Sequence, residues 1–129
     1  MTIRLRRLVA TAHDVALVVP GADRHAEYNS SLETAEYVAQ MLAELGLGSD
    51  AVEDSALAHG ALGQRSVAIL AYNPRLPSEA VDALVQFVEH GGKLLVCYQL
   101  PGKLGAALGF GKPQYIPGER PGQFAEIRF

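Results

Sequence analysis

Apolar residues are distributed along the chain in two rhythms. Val15-Ala16-Leu17-Val18-Val19 and Val67-Ala68-Ile69-Leu70-Ala71 are unbroken and rich in β-branched residues. Strands buried on both faces read this way, and such strands belong to parallel sheets. Lys93-Leu94-Leu95-Val96-Cys97-Tyr98 predicts another strand, and Ala51-Val52-Glu53-Asp54 a short one. Between these runs the period changes to that of a helix. Leu32, Ala35, Val38, Leu42 and Leu45 form one apolar stripe, and Val81, Leu84, Val85 and Val88 form another. Ser30 and Glu33 have the spacing of a capping box at the start of the first helix. Gly46 and Gly48 supply its stop, because glycine takes the left-handed conformation without a side-chain clash. The second helix opens at Ser78 and ends at Gly91-Gly92.

The remaining segments carry weaker signals. Ser55 to Gln64 is rich in small residues and has room for a helical turn or two. Pro101 to Leu108 predicts a short helix, and Tyr115-Ile116 a brief strand within a stretch of glycines and prolines. Phe124-Ala125-Glu126-Ile127-Arg128-Phe129 alternates like a strand, as do Ile3 and Leu5 with Arg4 and Arg6. The latter suit an edge strand or an arm leading into the first core strand. A chain that stops inside a strand signal points to a domain of a larger protein. Strands alternating with helices predict an α/β fold, a three-layer flavodoxin-like sandwich with a mainly parallel sheet, formed by residues 1–129 as one domain. Ligands of such sheets bind beyond the carboxyl ends of the strands. Attention therefore falls on the loops that begin near Gly21, Tyr72 and Tyr98.

Composition narrows the function classes. The chain has 129 residues, 49% of them hydrophobic and 19% charged, which is globular composition. A net charge of -3 argues against a nucleic-acid partner held by bulk charge. No apolar run approaches the roughly 18 residues of a membrane span. The arginines at the N-terminus resemble the start of a signal peptide, but His13 and Asp14 break the apolar stretch behind them. With one cysteine and no signal, the expected compartment is the cytoplasm, unless a larger parent protein is secreted.

Candidate chemistry is sparse. Pro20-Gly21-Ala22-Asp23-Arg24 lacks the glycine spacing of a dinucleotide fingerprint, and no phosphate loop is present, so no cofactor is expected. A phosphoacceptor domain needs a carboxylate at the end of the third strand, where this chain has Ala71-Tyr72-Asn73. His13, His25, His59 and His90 fall in no compact ligand motif, so no metal is expected. His90 instead sits where a helix C-terminus favours positive charge. Cys97 is the most specific candidate. It lies near the end of a buried strand, before a loop and a helix, where a strand–turn–helix elbow exposes a nucleophile. A thiolate there needs a base, whereas an inert cysteine simply packs as a small hydrophobe.

Three features together resemble the class I glutamine amidotransferase-like superfamily, over roughly Val15 to Phe110. They are Val67 to Pro74, the helix and double glycine of Phe87 to Val96, and Cys97. The resemblance implies a flavodoxin-like fold with the cysteine on an elbow. Active members keep glycines beside that cysteine, and here the neighbours are Val96, Tyr98 and Gln99. They also place a histidine and an acid near the C-terminus, but no histidine follows His90, and Glu126 has none beside it. The pattern is more similar still to the degenerate amidotransferase-like domains attached to bacterial glycoside hydrolases and β-galactosidases.

That resemblance implies a non-catalytic accessory module, for assembly or for contact with a small polar or carbohydrate ligand. Asp23, Tyr72, Asn73, Tyr98 and Gln99 would line its pocket, because aromatic faces cover sugar rings and amides both donate and accept hydrogen bonds. The plainer expectation is that Tyr72 and Tyr98 pack beneath the loops. A different class is a cysteine-dependent hydrolase or amidotransferase relative that uses Cys97. A third is self-association, or docking of a partner protein, through an edge strand or a helix face.

Overall fold

The computed structural model describes residues 13–21 and 29–126. Four strands form one sheet: β1 (Val15–Val19), β2 (Ser49–Glu53), β3 (Val67–Leu70) and β4 (Lys93–Val96). Their order in space is β2-β1-β3-β4, and every neighbouring pair is parallel. The helices are α1 (Asn29–Glu44), α2 (Ser78–Glu89) and α3 (Gly102–Ala107), with a 3₁₀ helix at Asp54–His59. The predicted α/β, flavodoxin-like sandwich is the fold observed.

Register sorts the strand residues onto two faces. Ala16, Val18, Val52, Ala68 and Leu70 meet Leu57 of the 3₁₀ helix, Val81 and Leu84 of α2, and Leu104 of α3. On the opposite face Leu17, Val19, Ile69 and Ala71 lie against α1 through Ala35, with Leu32, Val38 and Leu42 around it. Burying a residue such as Leu84 contributes about 1.5–3 kcal/mol. β1 and β3 are central and covered on both sides, which is why their sequences are continuous apolar runs.

β4 lies at the edge of the sheet and ends at Val96, two residues short of the predicted Tyr98. Its Leu95 points to the α1 side but is 53% exposed, because α1 covers the strands further in. β2 starts earlier than predicted, at Ser49, and Asp54 leaves it to open the 3₁₀ helix. The capping box at Ser30 does not form. Asn29 is already helical, its side-chain amide donates to Glu33 Oε1 at 2.9 Å, and the Ser30 carbonyl accepts from Thr34 Oγ1. Leu45, predicted on the buried stripe, falls past the end of α1 and is exposed.

The strand expected at Tyr115-Ile116 is absent, and both side chains are exposed. Phe124 to Glu126 lie in and just past a turn, where Ala125 N–H donates to the Gly122 carbonyl. Neither segment pairs with the sheet, and alternation alone did not make a strand of Phe124 to Glu126. The rest of that predicted strand, 127–129, and the predicted arm at Ile3 and Leu5 lie outside the described residues.

Two glycines close α2. Gly91 has φ +93°, a region that side chains rarely adopt. Gly92 faces the Phe87 ring so closely that a Cβ there would overlap it. His90 caps the helix. Its Nδ1 donates to the Gln86 carbonyl at 2.7 Å, since a carbonyl can only accept.

Beneath the sheet, at the amino ends of the strands, polar contacts tie the chain together. His13 donates its backbone N–H to Asp50 Oδ2 and places Nδ1 2.8 Å from Oδ1. Arg65 Nη2 reaches Oδ2 at 2.9 Å. The Arg65 and His13 hydrogen bonds hold the Asp50 carboxyl down at about 2, below its ordinary 3.8. Asp14 accepts from both the backbone and the hydroxyl of Ser66.

Candidate functional site

Because all four strands run the same way, the residues after each one gather along one edge of the sheet. From β2 comes Asp54, which is buried and accepts the Gly21 N–H at 3.1 Å. That bond fixes the turn after β1 against β2. From β3 comes Asn73, only 3% exposed, whose Nδ2 donates to the Val18 carbonyl at 3.2 Å. Asn73 thus bridges β3 to β1, the two strands between which the chain order reverses. Its Oδ1 is buried without a hydrogen-bond partner.

The end of β4 has the most unusual backbone. The Cys97 N–H donates to the Leu70 carbonyl, so Cys97 continues the ladder. Gln99 N–H then donates back to the Cys97 carbonyl at 2.7 Å, closing a γ-turn over Tyr98. Among the described residues Tyr98 is the one non-glycine with positive φ, +66°. Such a conformation costs of order 1–3 kcal/mol and concentrates at functional sites. The turn throws the Tyr98 ring outward, 91% exposed. The Tyr72 ring meets it edge to face, with centroids 5.2 Å apart and planes at 74°.

Of the residues singled out in the sequence, Tyr72, Asn73, Tyr98 and Gln99 stand at the ends of β3 and β4. Tyr72 and Tyr98 touch, and Gln99 is exposed beside them, whereas Asn73 turns away toward β1. Tyr98 does not pack beneath the loops. Asp23 lies outside the described residues. Sequence reasoning missed Asp54, having assigned it to β2. The available signal was its position directly after a short apolar strand, where a parallel sheet delivers its site residues.

Cys97 is half-buried, on the α1 side of the sheet, among the neighbours of Leu17, Val19, Ile69 and Ala71. It is the first residue of the turn, one before the apex, so the turn presents Tyr98 and not the thiol. A groove of about 820 Å³ is elsewhere. Arg65, Ser66, Gly91 and Gly92 line it, and they precede β3 and β4, so it opens at the opposite end of the strands.

Among the described residues no group of three or more histidine, cysteine or acidic side chains is placed to hold a metal ion. None of their helices is long and apolar enough to cross a membrane.

Neither a family model nor a curated protein matches the sequence. Among solved structures, the chain is similar to a crystal structure of β-galactosidase from Bifidobacterium adolescentis, with a TM-score of 0.55 and 16% identity. The likeness covers 66% of this chain and 39% of the β-galactosidase chain, and it is a likeness of fold, a parallel-sheet α/β architecture.

Proposed function

We propose that this chain is a non-catalytic, amidotransferase-like accessory module that holds a small carbohydrate on the Tyr72–Tyr98 pair. One observation carries the reading: the strained turn after β4 presents an exposed aromatic ring where a hydrolase elbow would present its nucleophile. Backbone strain of this kind persists only where the surroundings impose it. An exposed tyrosine face offers apolar stacking to a sugar ring, and its hydroxyl and the Gln99 amide offer hydrogen bonds. Asn73 and Asp54 serve beneath, bonding the ends of β1, β2 and β3 to one another. The fold shared with part of a β-galactosidase is compatible with a carbohydrate setting. The hydrolase alternative has less support, because Tyr98 and not Cys97 is at the apex of the turn and no hydrogen bond ties the thiol to a described histidine.

The test is a titration with methyl β-galactoside and short galacto-oligosaccharides, read by amide chemical shifts. The expected result is shifts centred on Tyr72, Tyr98 and Gln99 that Tyr98→Ala abolishes. Absence of binding at millimolar sugar would remove the carbohydrate reading.

Assembly is a second reading, favoured by a separate observation. Tyr37, Met41 and Leu45 recur every fourth residue along and just past α1 and are 68%, 55% and 75% exposed. An apolar stripe facing solvent marks an interaction surface. Sedimentation over a range of concentrations distinguishes the two: a monomer throughout counts against self-association.

A further inference from the structure

A groove of about 540 Å³ reaches Tyr98 of the tyrosine pair, which lines it together with Gln99. Beyond them its wall is wholly apolar: Val88 from α2, Leu94 and Val96 from β4, then Leu100, Leu108 and Phe110 around α3. The groove exists because β4 is the edge of the sheet and no described strand lies outside it. Its size falls within the roughly 300–1,000 Å³ of small-molecule sites, which are mostly apolar with a few placed polar groups.

Phe110 is 62% exposed, and Leu94, Val96, Leu100 and Leu108 are only partly buried. The α3 segment holds this wall in place. Leu104 is fully buried in the core, and the Phe110 N–H donates to the Gly105 carbonyl, folding Phe110 back against the helix. Gly105 is packed against the Leu100 side chain, where a Cβ would approach to 3.0 Å. The wall is therefore built by the fold and not by a loose tail.

We propose that the ligand of this site is amphiphilic, a glycoside whose sugar lies on Tyr98 and whose apolar aglycone lies in the groove along β4. This rests on the carbohydrate reading above and adds the class of ligand to it. A free sugar would leave the apolar wall wet. An alkyl or aryl group joined to the sugar covers it and adds hydrophobic transfer to a weak polar contact.

The experiment is a series of n-alkyl β-galactosides, from methyl to octyl, bound to the full chain below the concentrations at which they self-assemble. Each added methylene is expected to tighten binding about 3–4-fold until the groove is filled, the ratio set by ~0.8 kcal/mol per buried methylene. Phe110→Ala should flatten that series. Phe110 is mostly exposed, so this variant folds. Tyr98→Ala should weaken every member.

A flat wild-type series with measurable methyl galactoside binding overturns the amphiphile inference and leaves the carbohydrate reading standing. No binding by any member overturns both. A length dependence that persists in Phe110→Ala and in Phe110→Ala/Leu108→Ala puts the alkyl chain elsewhere and overturns the inference. So does a wild-type dimer that excludes the glycosides and dissociates in Phe110→Ala, since the groove would then belong to a second copy.

Discussion

Gln99 donates its backbone N–H to the Cys97 carbonyl across a single residue, Tyr98, which is thereby held at φ +66°. A side chain in that conformation costs of order 1–3 kcal/mol, and glycine avoids the cost. The Tyr72–Tyr98 edge contact returns about 0.5–1.5 kcal/mol. The two partly cancel. Tyr98→Gly is therefore expected to melt within about 1 kcal/mol of wild type while losing carbohydrate binding. Urea melts with a parallel binding assay check this. A loss above about 3 kcal/mol would mean that Tyr98 holds the fold together, and the strain would need a structural explanation.

The double glycine after α2 gives an independent prediction. Gly92→Ala puts a methyl group into the Phe87 ring, which is partly buried against the core. Overpacking of this kind costs typically about 1–3 kcal/mol. Phe87→Leu combined with Gly92→Ala should recover part of the loss, because the flexible chain can move aside. If the single variant is as stable as wild type, Phe87 turns freely and the close approach is not a constraint.

Much of this architecture was legible in the sequence for a physical reason. β1 and β3 are covered on both faces, so Val15–Val19 and Val67–Leu70 had to be apolar throughout. The stripe of α2 matched its buried face at Val81 and Leu84 for the same reason. Edge elements were less legible. Leu94 to Val96 read as a buried strand, yet apolar composition does not reveal that one side of β4 is open. Phe124 to Glu126 alternate as a strand would, but alternation states only which face is apolar and not whether a neighbour is there to pair. At the site, Tyr72 and Tyr98 were found because strand ends are visible in the sequence. The γ-turn over Tyr98 was not, since nothing in Cys97-Tyr98-Gln99 encodes positive φ as glycine would.

The Asp50 cluster predicts how stability responds to acid. Its carboxyl is held at about 2 in the fold, against an ordinary 3.8, so the folded chain resists protonation more than the unfolded chain does. The stabilisation is complete above pH 3.8 and is lost as the pH falls through about 2. Asp50→Asn should accordingly be less stable than wild type at pH 7, and the gap should narrow between pH 4 and 2. Denaturant melts of both proteins at each pH give the comparison. A gap of equal size at pH 7 and pH 2 would show that the amide fails for reasons of shape and not of charge.

Cys97 offers the sharpest separation between a binding module and a hydrolase. Its side chain lies among apolar neighbours on the α1 side, while the adjacent residue occupies the apex of the turn. Reaction with a bulky alkylating agent should therefore be slow in the native chain and rise to the rate of an unstructured thiol on unfolding. Cys97→Ala should cost about 1 kcal/mol of stability, the scale of an average substitution, and leave glycoside binding unchanged. Rapid native alkylation with a midpoint far below the free-thiol value of about 8.5 would mean an accessible thiolate. That result would turn the search toward a base near β4, because a nucleophile needs a partner to take its proton.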